Sequence, residues 1–114
     1  MKKSLGGASG AIVALLGIAM AVWAAAAGDA SAGKTVYANK CMICHGADGA
    51  GATGYAKALG LQPARLASDA VQNKTDAELK KIILEGSGKM KPIKGLSDTD
   101  IENVIAYVRT LRKK

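Results

Sequence analysis

Two cysteines and one histidine lie close together in this 114-residue chain, and each is a residue type that binds metals or reacts covalently. Cys41 and Cys44 are the only cysteines of the sequence, and His45, which follows at once, is the only histidine. On a helical turn, residues three apart share a face, so both thiols can reach the two vinyl groups along one edge of a porphyrin. The imidazole of the next residue can then turn under the iron. The pattern predicts a covalently attached haem with His45 as an iron ligand.

Three other kinds of site could use the same residues. A structural zinc ion needs four ligands, and the chain has no further cysteine or histidine to complete the set. A thioredoxin-like dithiol belongs in a βαβ unit, whereas the flanking sequence here is typical of helices. A disulfide between Cys41 and Cys44 stays open for a chain that has not received haem. We favour haem attachment because two cysteines at this spacing, followed by a histidine, form a specific short motif.

The elements that must position these residues follow an N-terminal segment of different composition. Two lysines near the start precede an uncharged stretch, residues 5–27, that ends in four alanines. A positive start, an apolar run and small residues at its end are typical of a secretory signal peptide. We therefore expect residues 1–27 to be removed and residues 28–114 to form one domain. The alternative is an uncleaved membrane anchor, since about twenty uncharged residues also span a bilayer; both place the domain outside the cytoplasm.

The predicted domain has few large apolar side chains. Removal of the first 27 residues takes away Trp23, the single tryptophan, and the chain contains no phenylalanine, which leaves three tyrosines as the only aromatic residues. Domains of this size usually need a disulfide, a metal or a large ligand to complete the core. The sequence thus predicts a missing core component.

Helical signals surround the cysteines, and no stretch alternates apolar and polar residues for long enough to predict a sheet. Residues 30–40 are compatible with a helix, and a glycine-rich loop follows the cysteines. Thr75 with Glu78, and Ser97 with Asp100, form capping boxes that predict the starts of two more helices. Apolar residues at helical intervals follow both boxes, and they are Leu79, Ile82, Ile83, Ile101, Val104, Ile105, Val108 and Leu111. We predict an all-α fold.

In their order and spacing, these motifs resemble the small class I cytochromes c of bacteria. The resemblance spans about residues 33–111 and rests on features in a fixed order, which are Gly33 to Tyr37, Cys41 to Gly46, the glycine-rich loop, Pro63, Gly86 to Pro92 with Met90, and a last helix with Tyr107. It implies the cytochrome c fold, with three to five helices around one covalent haem c. In the family the first and last helices cross, which implies that Gly33 is their closest approach and that Tyr37 and Tyr107 fill the contact. The implied location is the periplasm, or the periplasmic face of a membrane if the leader anchors the chain.

Met90 is the candidate for the second axial iron ligand. A second histidine is excluded because His45 is the only one, and Met42 lies inside the attachment motif, on the proximal side of the ring. Met90 lies in a loop with glycines before it and Pro92 after it, although many relatives have proline directly after this methionine and here Lys91 intervenes. A thioether raises the reduction potential, and two protein ligands leave no open position for oxygen. This ligand pair favours one-electron transfer.

The resemblance also implies a role for Pro63. In the family, a proline carbonyl accepts a hydrogen bond from the second nitrogen of the proximal histidine, which orients the ring and raises its basicity. Pro63 matches that proline by its order in the chain, so we expect its carbonyl oxygen to face His45. The alternative is a proline that only shapes a turn.

Charge indicates the kind of partner. The formal net charge is +7, and loss of the two leader lysines with addition of two ionised propionates leaves about +3. We expect Lys89, Lys91 and Lys94, which flank Met90, to surround the exposed haem edge and attract acidic surfaces of protein redox partners. The alternative is a solvated lysine-rich loop. The excess charge is too modest to favour nucleic-acid binding, and membrane contact is expected only through redox complexes or an uncleaved leader.

The sequence therefore favours an exported electron carrier that is not itself an enzyme. Two alternatives belong to other functional classes. The domain could be the haem-bearing subunit of a larger periplasmic or membrane redox complex, which an uncleaved leader would favour. It could instead be a gas or redox sensor, or a peroxidase-like enzyme, which would require the bond from Met90 to be absent or easily broken.

Overall fold

A computed structural model describes residues 28–112, which form six helical segments. These are α1 (Ala30–Lys40), α2 (Met42–His45), α3 (Gly54–Ala58), α4 (Asp69–Gln72), α5 (Asp76–Glu85) and α6 (Asp98–Thr110). No strand is present in the range 28–112, so the all-α prediction is confirmed. The helix count exceeds the expected three to five because α2, α3 and α4 are segments of only four or five residues. The predicted signal peptide, residues 1–27, lies outside the described residues.

Polar side chains begin five of the six helices. Asp29, Thr53 and Ser68 cap the backbone N–H groups of α1, α3 and α4. Both predicted capping boxes are present, one at the start of α5 and one at the start of α6. Each cap satisfies N–H groups that have no partner within the helix. The starts of α5 and α6 are thus fixed by pairs of residues that lie three positions apart in the sequence.

The first and last helices cross at Gly33, as the resemblance implies. A β-carbon on Gly33 would overlap the carbonyl group of Asn103 in α6, so this close approach requires glycine. Beside the crossing, the Asp29 N–H donates to Asn103 Oδ1 over 2.8 Å. The rings of Tyr37 and Tyr107 pack with centroids 5.2 Å apart and planes tilted by 50°. The pair of helices forms the frame against which the loops are held.

A small apolar core lies where α6 meets α4 and α5. Its buried members are Val71, Leu79, Ile101 and Ile105. The Arg109 guanidinium adds a polar link, because it donates to the Asp76 carboxylate over 2.7 Å and to the backbone oxygens of Gln72 and Lys74 over 3.0 and 2.6 Å. The turn between α4 and α5 is therefore tied to α6. Within residues 28–112, no helix has the length and apolar character needed to cross a bilayer.

Candidate functional site

A cavity of about 740 Å³ lies inside the helical frame, and all five predicted site residues line it. These are Cys41, Cys44, His45, Pro63 and Met90. Its volume falls within the roughly 300–1,000 Å³ of cofactor and small-molecule sites. Most of the other walls are apolar and come from every part of the fold, among them Leu59, Leu61, Leu66, Val71, Leu79, Ile82, Ile83, Ile93, Val104, Ile105 and Val108. The fold thus gathers the candidate ligands around one apolar space.

Cys41 precedes the short helix α2 and Cys44 lies within it, and both residues line this cavity. Both are free thiols and partly buried. Burial, and then the neighbouring Cys44, raise the pKa of Cys41 to about 11. Among the described residues, no three His, Cys, Asp or Glu side chains are grouped as a metal site. Two free thiols therefore face the same cavity.

Hydrogen bonds from three directions hold the carbonyl groups of the turn from Cys41 to Gly46, which we call the attachment turn. The Gly51 N–H donates to the His45 oxygen over 2.7 Å, and the Tyr37 hydroxyl donates to the Gly46 oxygen over 2.6 Å. The Thr53 hydroxyl donates to the Ile43 oxygen over 2.9 Å. Burial raises the pKa of Tyr37 far above its usual value, so its hydroxyl keeps the donated proton. Side chains distant in sequence thus fix the turn.

The ring of His45 is oriented by a backbone carbonyl, but not by the predicted one. Its Nδ1 lies 3.1 Å from the carbonyl oxygen of Ala64. The assignment to Pro63 is therefore wrong by one residue. The Pro63 carbonyl instead packs against Gly51, so closely that a β-carbon added to Gly51 would lie 2.5 Å from the Pro63 oxygen. Burial lowers the pKa of His45, while the hydrogen bond to Ala64 acts in the opposite direction. With Nδ1 donating, the neutral ring has Nε2 free for a metal.

Met90 ends a tight turn rather than a loose loop. The Ser87 N–H donates to the Met90 oxygen over 2.9 Å, and the Met90 N–H donates to the Ser87 oxygen over 2.8 Å. The two residues between them include Gly88, whose φ of +55° suits such a turn. After Met90, the Ile93 N–H donates to the Ile83 oxygen and ties the exit to α5. The thioether that lines the cavity is thus held by a closed backbone unit, which we call the Met90 turn.

Lysines without matching carboxylates border the cavity. Lys40, Lys74, Lys89 and Lys91 line it, and no aspartate or glutamate is among the lining residues. Two of the three lysines expected from the sequence are in this set, and Lys94 is not. Lys40 and Lys74 join them because the fold brings the end of α1 and the connection between α4 and α5 to the same space. The mouth of the cavity is therefore basic.

Comparison with known proteins agrees with this geometry. Residues 28–108 match the family model described as cytochrome c oxidase, cbb3-type, subunit III. The chain belongs to the c-type cytochromes. It is 42% identical over 91 residues to cytochrome c-554(547) of Halothiobacillus neapolitanus, which covers 75% of this chain and 100% of that relative. A solved structure, the KustC0563 c-type cytochrome, is 28% identical with a TM-score of 0.59, over 71% of this chain and 98% of that one.

The cavity of this c-type cytochrome has the donor chemistry that a haem requires. Two free thiols, an imidazole whose Nδ1 is engaged and a thioether line one apolar space. These are the ligand types used for covalent attachment and for axial coordination of haem iron. The residues present therefore fit the group that the family carries, and its chemistry is haem-based electron transfer.

Three long-range hydrogen bonds of the site could not be read from the sequence pattern. The Ala64 carbonyl, the Tyr37 hydroxyl and the Thr53 hydroxyl act over nine to nineteen positions along the chain. Thr53 carries one weak local clue, since a threonine before a helix is a typical N-cap. Its second contact, to the attachment turn, depends on the folded path of the glycine-rich loop.

Proposed function

We propose that this chain is an exported mono-haem c-type cytochrome that carries single electrons between protein partners. Haem c is bound covalently through Cys41 and Cys44, and the iron is held by His45 and Met90. The observation that supports this most directly is that these four side chains line one apolar cavity in a member of the c-type cytochrome family. The protein is a carrier and not an enzyme in its own right.

The protein's own residues prepare the site for this work. A bound haem supplies a one-electron couple between ferric and ferrous iron. The Ala64 carbonyl holds the His45 ring at Nδ1 and raises the basicity of Nε2. The apolar walls exclude water, which lowers the local dielectric and favours the less charged state of the site. The Met90 thioether acts in the same direction, toward the reduced form.

Ligation on both sides separates electron transfer from oxygen chemistry. If His45 and Met90 both hold the iron, the bound haem would offer no open position to oxygen, carbon monoxide or peroxide. The Met90 turn is closed by two backbone hydrogen bonds and tied to α5, which favours a ligand that stays bound. This arrangement supports a carrier over a gas sensor.

The basic mouth of the cavity supports acidic protein partners. Lys40, Lys74, Lys89 and Lys91 place positive charge where electrons would enter or leave, with no lining carboxylate to offset it. Complementary charge accelerates association and is screened by salt. We expect electron transfer with an acidic partner to slow as ionic strength rises. A rate that ignores ionic strength would exclude this mode of docking.

The leader pattern and the family support a periplasmic location. A signal peptide over residues 1–27 would deliver the domain to the periplasm, where haem attachment to the two thiols takes place after export. Mass spectrometry of the protein purified from the periplasm tests this. The expected product starts near Gly28 and carries the mass of one haem, whereas an intact leader would favour the anchored form.

Optical spectra of the full chain, matured in the periplasm, test the haem site and its ligands. We expect a low-spin spectrum that carbon monoxide does not change in the wild type. In Met90→Ala, carbon monoxide should bind readily to the reduced protein. Haem should stay on the polypeptide after denaturation, and be lost in Cys41→Ser/Cys44→Ser. Ready carbon monoxide binding by the wild type would refute ligation by Met90 and move the function toward sensing or peroxide chemistry.

A second candidate function is that of a haem-bearing subunit in a larger redox complex. The description of the matching family model, an oxidase subunit, favours it. Fractionation separates the two candidates. A carrier is released with the periplasmic contents, whereas a subunit remains with membranes and copurifies with other chains in constant ratio.

A further inference from the structure

The hydroxyl of Thr53 joins the attachment turn to α3. It donates to the Ile43 oxygen over 2.9 Å and lies 3.4 Å from the Cys44 oxygen. It also accepts the Ala56 N–H over 3.0 Å and so caps α3. A hydroxyl has one proton to donate and two lone pairs to accept. One side chain therefore serves both the start of a helix and the backbone between the two cysteines.

The attachment turn depends on donors from outside because α2 is only one turn long. The last carbonyls of a helix have no partner within it. Within the turn, the Gly46 N–H donates to the Met42 oxygen. From outside the turn, the Gly51 N–H donates to the His45 oxygen. For the Ile43 oxygen, within residues 28–112, the donor is the Thr53 side chain. Its loss would leave the carbonyl group just before Cys44 without this donor, while the Cys44 N–H on the other side of the peptide bond keeps its hydrogen bond to the Cys41 oxygen.

The orientation of this peptide group decides where the two following side chains point. Cys44 and His45 come directly after Ile43, and their N–H groups both donate to the Cys41 oxygen within the turn. The anchors from outside the turn are Thr53 at the Ile43 oxygen, and Gly51 and Tyr37 at the later oxygens of His45 and Gly46. Thr53 is partly buried and is not itself among the residues that line the cavity. Its position suits a residue that acts through its neighbours.

We propose that Thr53 is a positioning residue that fixes Cys44 and His45 in the orientation needed for the haem. This rests on the proposed haem site and adds a determinant that lies outside the attachment motif. Thr53 also caps the start of α3, and α3 together with the residue after it supplies Tyr55 and Leu59 to the cavity wall. One hydroxyl therefore sets the attachment turn and an adjacent wall relative to each other.

The test compares three variants of the full chain matured in the periplasm. Thr53→Val keeps the shape of the side chain and replaces the hydroxyl by a methyl group, whereas Thr53→Ser keeps the hydroxyl. Thr75→Val is the control, because the Thr75 hydroxyl also caps a helix and Thr75 is not among the residues that line the cavity. The readouts are the fraction of chains with covalent haem and the haem-methyl proton resonances of the ferric protein, which report the orientation of the His45 ring. Thermal unfolding midpoints measure the loss of the helix cap.

We expect both valine variants to lose thermal stability because each loses a helix cap, and the loss should be larger in Thr53→Val, which also loses the hydrogen bond to the Ile43 oxygen. Only Thr53→Val should shift the haem-methyl resonances or lower the fraction of covalent haem. Thr53→Ser should match the wild type in both measurements. Failure of Thr53→Val to load haem, while Thr75→Val loads normally, supports the same conclusion. The inference is refuted, and the proposed function is not, if Thr53→Val has the same haem-methyl resonances and haem loading as the wild type. The same holds if Thr75→Val changes them as much as Thr53→Val does. If the wild type carries no covalent haem, the proposed function fails and the inference falls with it.

Discussion

Gly33→Ala tests the crossing of α1 and α6, on which the whole frame depends. The added carbon would overlap the carbonyl carbon and oxygen of Asn103 and lie 2.9 Å from the backbone nitrogen of Val104. Ordinary van der Waals contact begins near 3.4 Å. All three atoms belong to the main chain of α6, which cannot rotate away as a side chain can. The two helices must therefore move apart.

The expected cost follows from two opposing terms. Overpacking against a rigid neighbour costs up to about 3 kcal/mol. Alanine in place of glycine within a helix returns about 1 kcal/mol. The net loss is about 2 kcal/mol, which corresponds to a fall of about 8–16 °C in the midpoint of thermal unfolding for a domain of this size.

Urea unfolding of the haem-loaded full chain, followed by far-ultraviolet circular dichroism, measures this loss. Gly54→Ala is the control, because Gly54 begins a helix and a β-carbon there has no atom within 4 Å. We expect it to be neutral or stabilising by about 0.4–1 kcal/mol. A Gly33→Ala protein as stable as the wild type, or an equal loss in Gly54→Ala, would refute the claim that main-chain contact at the crossing requires glycine.

Three further substitutions address single contacts. A backbone hydrogen bond at the start of α5 lowers the pKa of Glu78, so its contribution to stability is present above the ordinary pKa of a glutamate and is lost as the pH falls through the lowered pKa of the folded state. Glu78→Gln should therefore show a smaller loss of urea-unfolding stability at acid pH than the wild type, and equal losses would contradict this. Arg109→Lys cannot keep the forked contact with Asp76 and the two neighbouring carbonyls, and should lose about 1–2 kcal/mol of unfolding free energy; an unchanged value would mean that these bonds add nothing. Gly86→Ala places a side chain at a φ of +81° and 2.5 Å from the Met90 oxygen, so the reduced protein should bind carbon monoxide more readily than the wild type; identical spectra would show that the Met90 turn tolerates the change.

Features set by neighbouring residues could be predicted from the sequence. The capping boxes at Thr75 and Ser97 depend on side chains three positions apart, and the structure confirms both. The helix crossing at Gly33 also follows the prediction, because a family resemblance carries that long-range contact. The single-turn helix α4 was not predicted, since four residues are too few to show a helical period.

The remaining site contacts depend on how irregular chain folds back on itself. Whether Pro63 or Ala64 turns its carbonyl toward His45 is decided by packing against the glycine-rich loop, which no local pattern records. The second role of Thr53 is likewise a contact across ten positions. Lys74 reaches the cavity because of the path of the chain before α5. These contacts belong to tertiary structure, and sequence spacing alone does not determine them.

The place of the two cysteines has a consequence for the life of the protein after it unfolds. A haem held only by packing would diffuse away when the cavity opens, and its recapture would depend on the concentration of free haem. If haem is joined to Cys41 and Cys44 as proposed, the cofactor would stay tethered to the open chain at a high effective concentration. Refolding would then be a first-order process that dilution does not slow. Such a protein would recover from repeated unfolding even where free haem is scarce.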